Sequence, residues 1–564
     1  MLFNPKLHNI EYRDQNTQEL MQKVIDFFEN KGLKSIKEDW HNKVWNYEFV
    51  EFMKENNILE TLMTPSGYGA EDARWDTYRN TKFAEIVGFY GLTYWYTFQV
   101  SMLGLAPVWL GSNEELKHKT ARLLKEGEVF AFGLSEKEHG ADIYSSEMQL
   151  HPQSDGGYLG QGDKYYIGNG NEAALVSTFG KNSDTGEYVF FAVDSKHANY
   201  ECIKNTVNEQ MHVSEFHIDN YPLTEEDIME KGPNAWDNML NTVNICKFNL
   251  GFGAVGLCEH AFYEAIKHAA NRNVYGKHVT DFVHVKRLFV DGYVRLCGMK
   301  LFSERATDYM RSASTEDRRY LLFNPLVKMK VTSQGEDVIN HFWDVIAAKG
   351  FEKEPFFEVA AHEIRMLPKL EGTVHVNMAL VIKFMQNYLF NPKEFSHIPR
   401  RDDLVNDDFL FDQGATKGLS KIQFHDYKLT YDQFDLPNVN VFKEQIKLFK
   451  DFLIESSPSK EQSKDIDYLL AMGDCFTLIV YGHLILENAQ INGCQDELVE
   501  EIFDVLIRDF SKYAVILMTK PSNTDTQVER VRKLIKAPIA NETRFERFWF
   551  EQVYALNDAY TLAN

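Results

Sequence analysis

A carboxylate among apolar neighbours is the first group here with reactive promise. Glu371 lies in Lys369-Leu370-Glu371-Gly372-Thr373, flanked by Leu367, Leu370 and Val374. Apolar surroundings disfavour the charged form of a carboxylate, so its pKa rises towards that of a useful general base. The competing reading is a helix-end glutamate turned to water, and on this segment alone it is the stronger. Arg272, in Arg272-Asn273-Val274-Tyr275-Gly276-Lys277, follows a helical stretch. Its planar fork suits two phosphate oxygens, but a cation there equally complements a helix C-terminus. Spacing does not separate the two. Ser135-Glu136-Lys137-Glu138-His139-Gly140 follows a strand-like run. A hydroxyl and free backbone N–H groups there can hydrogen-bond a flat polar ring. A solvated turn is the simpler reading.

Gly251-Phe252-Gly253-Ala254-Val255-Gly256 matches G-x-G-x-x-G. After a strand, such a run can open a dinucleotide-binding unit. No alternation of strands and helices follows it, so close packing of two helices on small residues is preferred. His362-Glu363 lacks the second histidine that a zinc helix needs, and no metal site is expected. Asn541-Glu542-Thr543 is a formal glycosylation sequon without meaning in a cytosolic chain.

The elements that must position these groups follow from periodicity. Residues 17–124 read as helical, with apolar spacing in Leu20-Met21-Val24-Ile25-Phe27-Phe28 and Phe49-Val50-Phe52-Met53. Ser112 is a candidate N-cap, with Glu115 three residues on, for a helix over Leu116 to Leu124. From Val129 to about Asn220 the texture changes to short alternating runs split by Asp155-Gly156-Gly157 and Gly168-Asn169-Gly170. This predicts a small antiparallel β domain. Helical period returns near Val243 and runs to about Phe390, where Asn391-Pro392 breaks it. Residues 395–436 form a polar connector, and 441–562 are helical again. The expected domains are 1–127, helical; 128–236, β; 237–395, a helical bundle carrying Glu371; 396–440, connector; and 441–564, additional helices.

Bulk properties narrow the function classes. The 564 residues suffice for several domains and a sizeable core. A net charge of -23 argues against phosphate-backbone binding, and no nucleic-acid partner is expected. The 6 cysteines show no C-x-x-C pair and read as reduced thiols, which points to the cytoplasm. The N-terminus shows no signal-peptide pattern. No run of about eighteen apolar residues is seen, so no membrane span is expected. The apolar stretch Phe476 to Leu486 leaves open a peripheral membrane contact, although such helix faces more often belong to a core.

Taken in order, Ser135-Glu136-Lys137-Glu138-His139-Gly140-Ala141-Asp142, Lys164-Tyr165-Tyr166-Ile167-Gly168-Asn169, Arg272-Asn273-Val274-Tyr275-Gly276, Ala348-Lys349-Gly350-Phe351 and Leu370-Glu371-Gly372-Thr373 resemble the acyl-CoA dehydrogenase family. They stand where that family has T-E-P-x-x-G-S-D, K-x-W-I-T-N, R-x-x-F-G, G-x-G-F and Y-E-G-T. The resemblance covers residues from about 17 to 390. It implies a mainly α fold: a helical N-domain, a central antiparallel, barrel-like β domain and a four-helix C-domain. The additional helices from 441 resemble the extension of very-long-chain and large bacterial members. The chain departs from the pattern at Ala141 (for Ser), Tyr166 (for Trp), Gly168 (for Thr), Ala347-Ala348 (for a Gly pair) and Val283 (for a Gln).

The resemblance further implies FAD as cofactor, Glu371 as catalytic base and a fatty acyl-CoA oxidised to the trans-2-enoyl-CoA. Phe132, Leu134, Ser135, Tyr166, Gly168, Arg272, Tyr275, Thr373 and His375 would bind the cofactor, and Ala141 and Gly372 the substrate. Arg272 would take the pyrophosphate, across a subunit boundary as in relatives. Medium to long chains, a place in fatty-acid β-oxidation, an electron-transfer flavoprotein as acceptor and a homodimer follow by the same analogy. Two alternatives remain: an acyl-CoA oxidase on the same fold, and a non-catalytic acyl-binding relative.

Overall fold

The computed structural model describes residues 1–7 and 12–564. The chain divides into two compact units, each discontinuous in sequence. One contains 10–249, 402–417 and 562–564; the other contains 1–9, 250–401 and 418–561.

In the first unit, Asp14 caps helix Gln15–Asn42 by accepting from Thr17 N at 2.8 Å. The helix Leu92–Leu110 is apolar on every face, and nearly all of it is buried, as a core helix must be. It meets the β domain backbone to backbone: a Cβ on Gly104 would lie 2.6 Å from the Ala131 amide nitrogen and carbonyl oxygen. The helix Glu114–Lys125 is capped by Asn113, whose side chain accepts from Leu116 N at 3.1 Å. The expected cap was Ser112. Both types cap well, and the cap fell to the amide that also donates to Ile228 O at 2.8 Å.

Eight strands form one sheet: β1 Phe130–Gly133, β2 Gln149–Pro152, β3 Tyr158–Gly168, β4 Leu175–Asn182, β5 Tyr188–Val193, β6 Tyr200–Asn205, β7 Val213–Leu223 and β8 Ile228–Lys231. Their order is β6-β7-β3-β2-β4-β5-β8, with β1 paired to β4. Most pairs are antiparallel, as expected, but β1 and β2 both run parallel to β4. Alternation reports a buried face and not strand direction, so the sequence could not reveal this. Beyond the alternating run that ends near Asn220, strand structure continues to β8, inside the expected β domain of 128–236, and helix Gly232–Cys246 begins well before Val243. A four-residue strand is too short to show a period. The segment 402–417 belongs to this unit. Asn406 Oδ1 accepts from Trp75 N at 2.8 Å, and Asp407 Oδ2 accepts from Thr77 N at 2.7 Å.

The second unit is helical. The long helix Val283–Arg311 packs against Thr332–Ile346 and against two helices of the C-terminal region, Ile466–Ile491 and Asp496–Met518. Arg295 and Asp509 form a buried two-pronged ion pair at 2.7 and 2.8 Å across this packing. The bundle and the additional helices are therefore one compact body. Helix Ile466–Ile491 is long and apolar enough to cross a membrane by length and composition, which corrects the expectation that no such segment exists; 83% of its apolar window is buried inside the protein. Phe476, Leu478, Ile479, Leu484 and Leu486 are core residues, so this stretch offers no face to a membrane surface. The G-x-G-x-x-G run lies inside helix Asn249–Asn271, and a Cβ on Gly251 would stand 2.4 Å from Val327 Cγ1. Close helix packing accounts for that glycine.

Candidate active site

In the first unit, Phe132, Leu134, Ser135, Tyr166 and Gly168 lie on or beside β1 and β3. The strands are joined by an interaction that the sequence reading passed over. Glu136 is buried and accepts from Lys164 Nζ (2.7 Å), Ser146 Oγ (2.6 Å) and Glu147 N (2.7 Å). Lys164 also donates to Leu134 O at 3.0 Å. Burial pushes the Lys164 ammonium down to about 8, against the pull of Glu136. Burial opposes the Glu136 charge too, but Lys164 and the hydrogen bonds hold that carboxyl below its ordinary value. The pair ties the Ser135–Glu136 segment to the start of the Lys164–Asn169 run.

Ser135 is clipped to the same strand. Its hydroxyl donates to Tyr165 O at 2.7 Å, and its carbonyl accepts from Tyr165 N at 2.9 Å. The hydroxyl oxygen can still accept. β3 is irregular between Lys164 and Ile167. There Tyr166 takes φ 64° and turns its ring outward, 58% exposed. Bulges of this kind re-aim a side chain. Asn169, also at positive φ, donates to Thr97 O, Ser101 Oγ and Phe130 O at 3.0–3.2 Å, fixing the end of β3. At Gly168 a Cβ would lie 2.7 Å from Tyr96 Cε1 and from Val100 Cγ1, and 2.8 Å from the Tyr96 hydroxyl. Tyr96 and Val100 thus fill the space a side chain at 168 would use. Ala141 lies on an exposed loop beyond these residues.

In the second unit, Arg272 follows helix Asn249–Asn271 and leads into a two-stranded hairpin, Asn273–Val274 with Lys277–His278. Tyr275 and Gly276 form its turn at φ 53° and 75°, which suits a two-residue hairpin. Arg272 is exposed, and Tyr275 is 94% exposed. Glu371 and Gly372 are two successive left-handed residues, at φ 50° and 81°, and both are half-buried. A glutamate in this conformation is uncommon and costs about 1 kcal/mol or more. Thr373 then caps helix Val374–Val381, accepting from Val376 N at 3.4 Å, and His375 is exposed on its first turn. Glu371, Gly372, Thr373 and His375 therefore share one loop and helix start. Ala347 keeps a glycine-like conformation, φ 55° and ψ −132°, at the end of Thr332–Ile346.

Lys328, also passed over in the sequence, is buried and donates to Pro368 O at 2.7 Å and to Gly372 O. Asn377 Nδ2 donates to the same Gly372 carbonyl at 3.1 Å. A third unforeseen group is His425, His483 and Glu487, whose potential ligand atoms lie within 4.8 Å of one another. It is complete without a metal. Arg319 Nη1 lies 2.8 Å from His425 Nδ1 and can only donate, so the ring proton sits on Nε2 and goes to Glu487 Oε1 at 2.7 Å. A protonated nitrogen cannot ligate. Arg305 Nε and Tyr309 hold the other carboxylate oxygen at 2.7 and 2.9 Å.

These elements define a helix–sheet–helix architecture with a strained glutamate loop in its bundle, and known proteins share it. Residues 235–386 match the model of the acyl-CoA dehydrogenase C-terminal domain. Over 353 residues the chain is 23% identical to a glutaryl-CoA dehydrogenase of Desulfococcus multivorans, covering 60% of this chain and 88% of that one. It is 24% identical to the mitochondrial very long-chain specific acyl-CoA dehydrogenase of Bos taurus over 315 residues, 52% of this chain and 47% of that protein. The crystal structure of an acyl-CoA dehydrogenase complexed with FAD from Bacillus anthracis superposes with a TM-score of 0.71 at 16% identity, covering 98% of this chain and 97% of that one. The chain thus has the acyl-CoA dehydrogenase fold, and its residues 235–386 match that family's C-terminal domain.

Proposed function

We propose that this protein is an FAD-dependent acyl-CoA dehydrogenase, which removes two hydrogens across Cα–Cβ of an acyl-CoA to give the trans-2-enoyl-CoA. The observation that carries the reading is the Glu371-Gly372 loop: a carboxylate held at positive φ within the matched family domain. The residues present fit the cofactor. The open ring of Tyr166 and the accepting oxygen of Ser135 suit a flat polar heterocycle, and the exposed Arg272 fork suits a pyrophosphate. Ala347 retains a glycine-type turn although glycine is gone, so the surrounding backbone imposes that turn.

Ser135, Tyr166, Arg272 and Tyr275 would hold FAD, with Phe132, Leu134 and Gly168 supplying backbone and Thr373 and His375 its far end. When bound, FAD supplies the two-electron acceptor for the β-hydrogen, which leaves as hydride. Glu371 removes the α-proton as a general base. The Glu371 backbone N–H donates to the thioester oxygen as negative charge grows there, a kind of contact worth about 3–4 kcal/mol. Ala141 and Gly372 would line the acyl-CoA. The substrate carbon skeleton thereby loses one proton and one hydride, and the C=C bond keeps the electron pair of the broken Cα–H bond.

The likeness to very-long-chain members supports a medium- to long-chain acyl group, a fatty-acid degradation role, an electron-transfer flavoprotein as acceptor and a homodimer, the last checked by light scattering. The deciding experiment is anaerobic titration of the yellow holoprotein with acyl-CoAs of increasing length. Wild type is expected to bleach with one length class. Glu371→Gln is expected to keep FAD and lose at least about a thousandfold in the rate of flavin reduction. Full retained reduction would remove Glu371 from the role of base. Peroxide formation at wild-type turnover rates without an added acceptor would assign the protein as an oxidase.

A further inference from the structure

Lys328 carries more than packing explains. Its side chain is fully buried, and a buried ammonium is retained only where its N–H groups find acceptors. Two of those N–H groups go to Pro368 O and Gly372 O, the carbonyls three residues before Glu371 and one residue after it. The pair brackets the strained turn. Asn377 Nδ2 shares the Gly372 carbonyl at 3.1 Å and also takes Thr373 O at 3.1 Å, so the C-terminal side of the turn is held from two directions.

Lys328 itself stands on rigid ground. Pro325 lies inside helix Tyr320–Leu326 and withdraws an N–H from its ladder. The chain then passes through a π-helical turn, Val327–Val331, before regular helix resumes at Thr332. Such turns often occur at functional sites. The Thr332 hydroxyl donates to Lys328 O, and a Cβ on Gly251 would meet Val327, so the turn is wedged against helix Asn249–Asn271. A buried amine thus holds the two peptides that flank the Glu371 turn, one on each side.

We propose that Lys328, with Asn377, is a positioning residue for the proton-abstracting Glu371: it holds the 368–372 turn so that carboxylate and backbone N–H address one thioester together. The proposal rests on the reading of Glu371 as the base. Misplacing a reacting group by about 1 Å can lower a rate by about a hundredfold while binding persists.

The test uses FAD-loaded full-length protein with the acyl-CoA that best bleaches wild type. Lys328→Met removes the ammonium and keeps the length of the side chain. Lys328→Arg keeps the positive charge and donors. Asn377→Ala removes the second donor while Lys328 stays, and serves if Lys328→Met does not fold. Measured are FAD per chain, kcat, KM, solvent-deuterium exchange at the substrate Cα, and amide hydrogen exchange over 368–373. Lys328→Met is expected to keep FAD, to change KM less than about threefold, and to lose about thirtyfold in kcat and in α-exchange together. Amide exchange should quicken over the loop alone. Asn377→Ala should lose several-fold in the same two rates, and Lys328→Arg should recover much of the loss. A kcat per bound FAD within twofold of wild type in both Lys328→Met and Asn377→Ala would overturn the proposal while leaving the base assignment intact. Wild-type protein that bleaches with no acyl-CoA would overturn the base assignment, and this proposal with it.

Discussion

At Ala347 a single methyl group meets a backbone built for none. Its φ of 55° with ψ of −132° lies where a Cβ collides with the adjoining peptide, and only glycine visits it cheaply. Ala347→Gly is expected to raise stability by about 1 kcal/mol, the strain relieved exceeding the entropy added to the unfolded chain. A higher urea midpoint at unchanged m value would show it, and a lower midpoint would mean the turn tolerates the methyl. Gly168 is the opposite case. Restoring threonine there would drive Cβ to 2.7 Å from Tyr96 and Val100 of a buried helix. Gly168→Thr should therefore cost about 1–3 kcal/mol and give no gain in FAD affinity by absorbance titration; tighter FAD with unchanged stability would contradict this packing. Glu371, Arg272 and Ser135 could be singled out as candidates because each stands in a recognisable run of neighbours in sequence. Lys328 and Tyr96 were not. The acceptor of Lys328 lies 40 residues on, and Tyr96 meets Gly168 from another element, so neither leaves a local signature.

At the scale of elements, period and turn residues located the helices, the β region and the breaks between them. Strand direction, the register of β3 and the π-helical turn depend on partners and stayed hidden. The Lys164–Glu136 pair shows why that matters. A lysine in an otherwise apolar run looks like a solvent-facing position, yet Lys164 is buried and spans from β3 to the segment after β1. Removing one member leaves an uncompensated buried charge, whereas removing both is far milder. Lys164→Met is expected to cost about 3–5 kcal/mol and to weaken FAD binding by loosening Ser135 against Tyr165. The double variant Lys164→Met with Glu136→Leu should recover a large part of the stability in urea unfolding. Strict additivity of the two losses would show that the pair is not coupled.

On the scale of the whole chain, the sequence marked 395–436 as a polar connector, and the structure gives it two destinations. Residues 402–417 join one unit and 418 onward the other. Past that crossing, His425 enters a buried set that binds connector, bundle and C-terminal helix into the second unit. Glu487 and His483 come from helix Ile466–Ile491, Arg305 and Tyr309 from Val283–Arg311, Tyr388 from Met385–Phe390, and Thr430 and Arg319 complete it. Asp308 and Asp317 face the arginines from the same elements. No periodicity could have announced a network drawn from residues so far apart. Burial, with the charge of His483 and of Arg319 beside it, outweighs the pull of Glu487 and pushes His425 down to about 4. Burial opposes the Glu487 charge, yet the His483 charge, both histidine hydrogen bonds and Arg305 hold it well below the ordinary range. Both folded values lie below their unfolded ones, so both contributions are present at neutral pH. The His425 part fades as pH falls from about 6.5 to about 4, and the Glu487 part below about 4.5. Wild-type stability should therefore decline across that first window by on the order of 3 kcal/mol. His425→Gln, which cannot titrate, should be less stable at pH 7 and should lose less on acidification. The check is the urea midpoint of both proteins at several pH values between 7 and 4. Parallel slopes would place the acid sensitivity elsewhere, and convergence of the two curves near pH 4 would place it at His425.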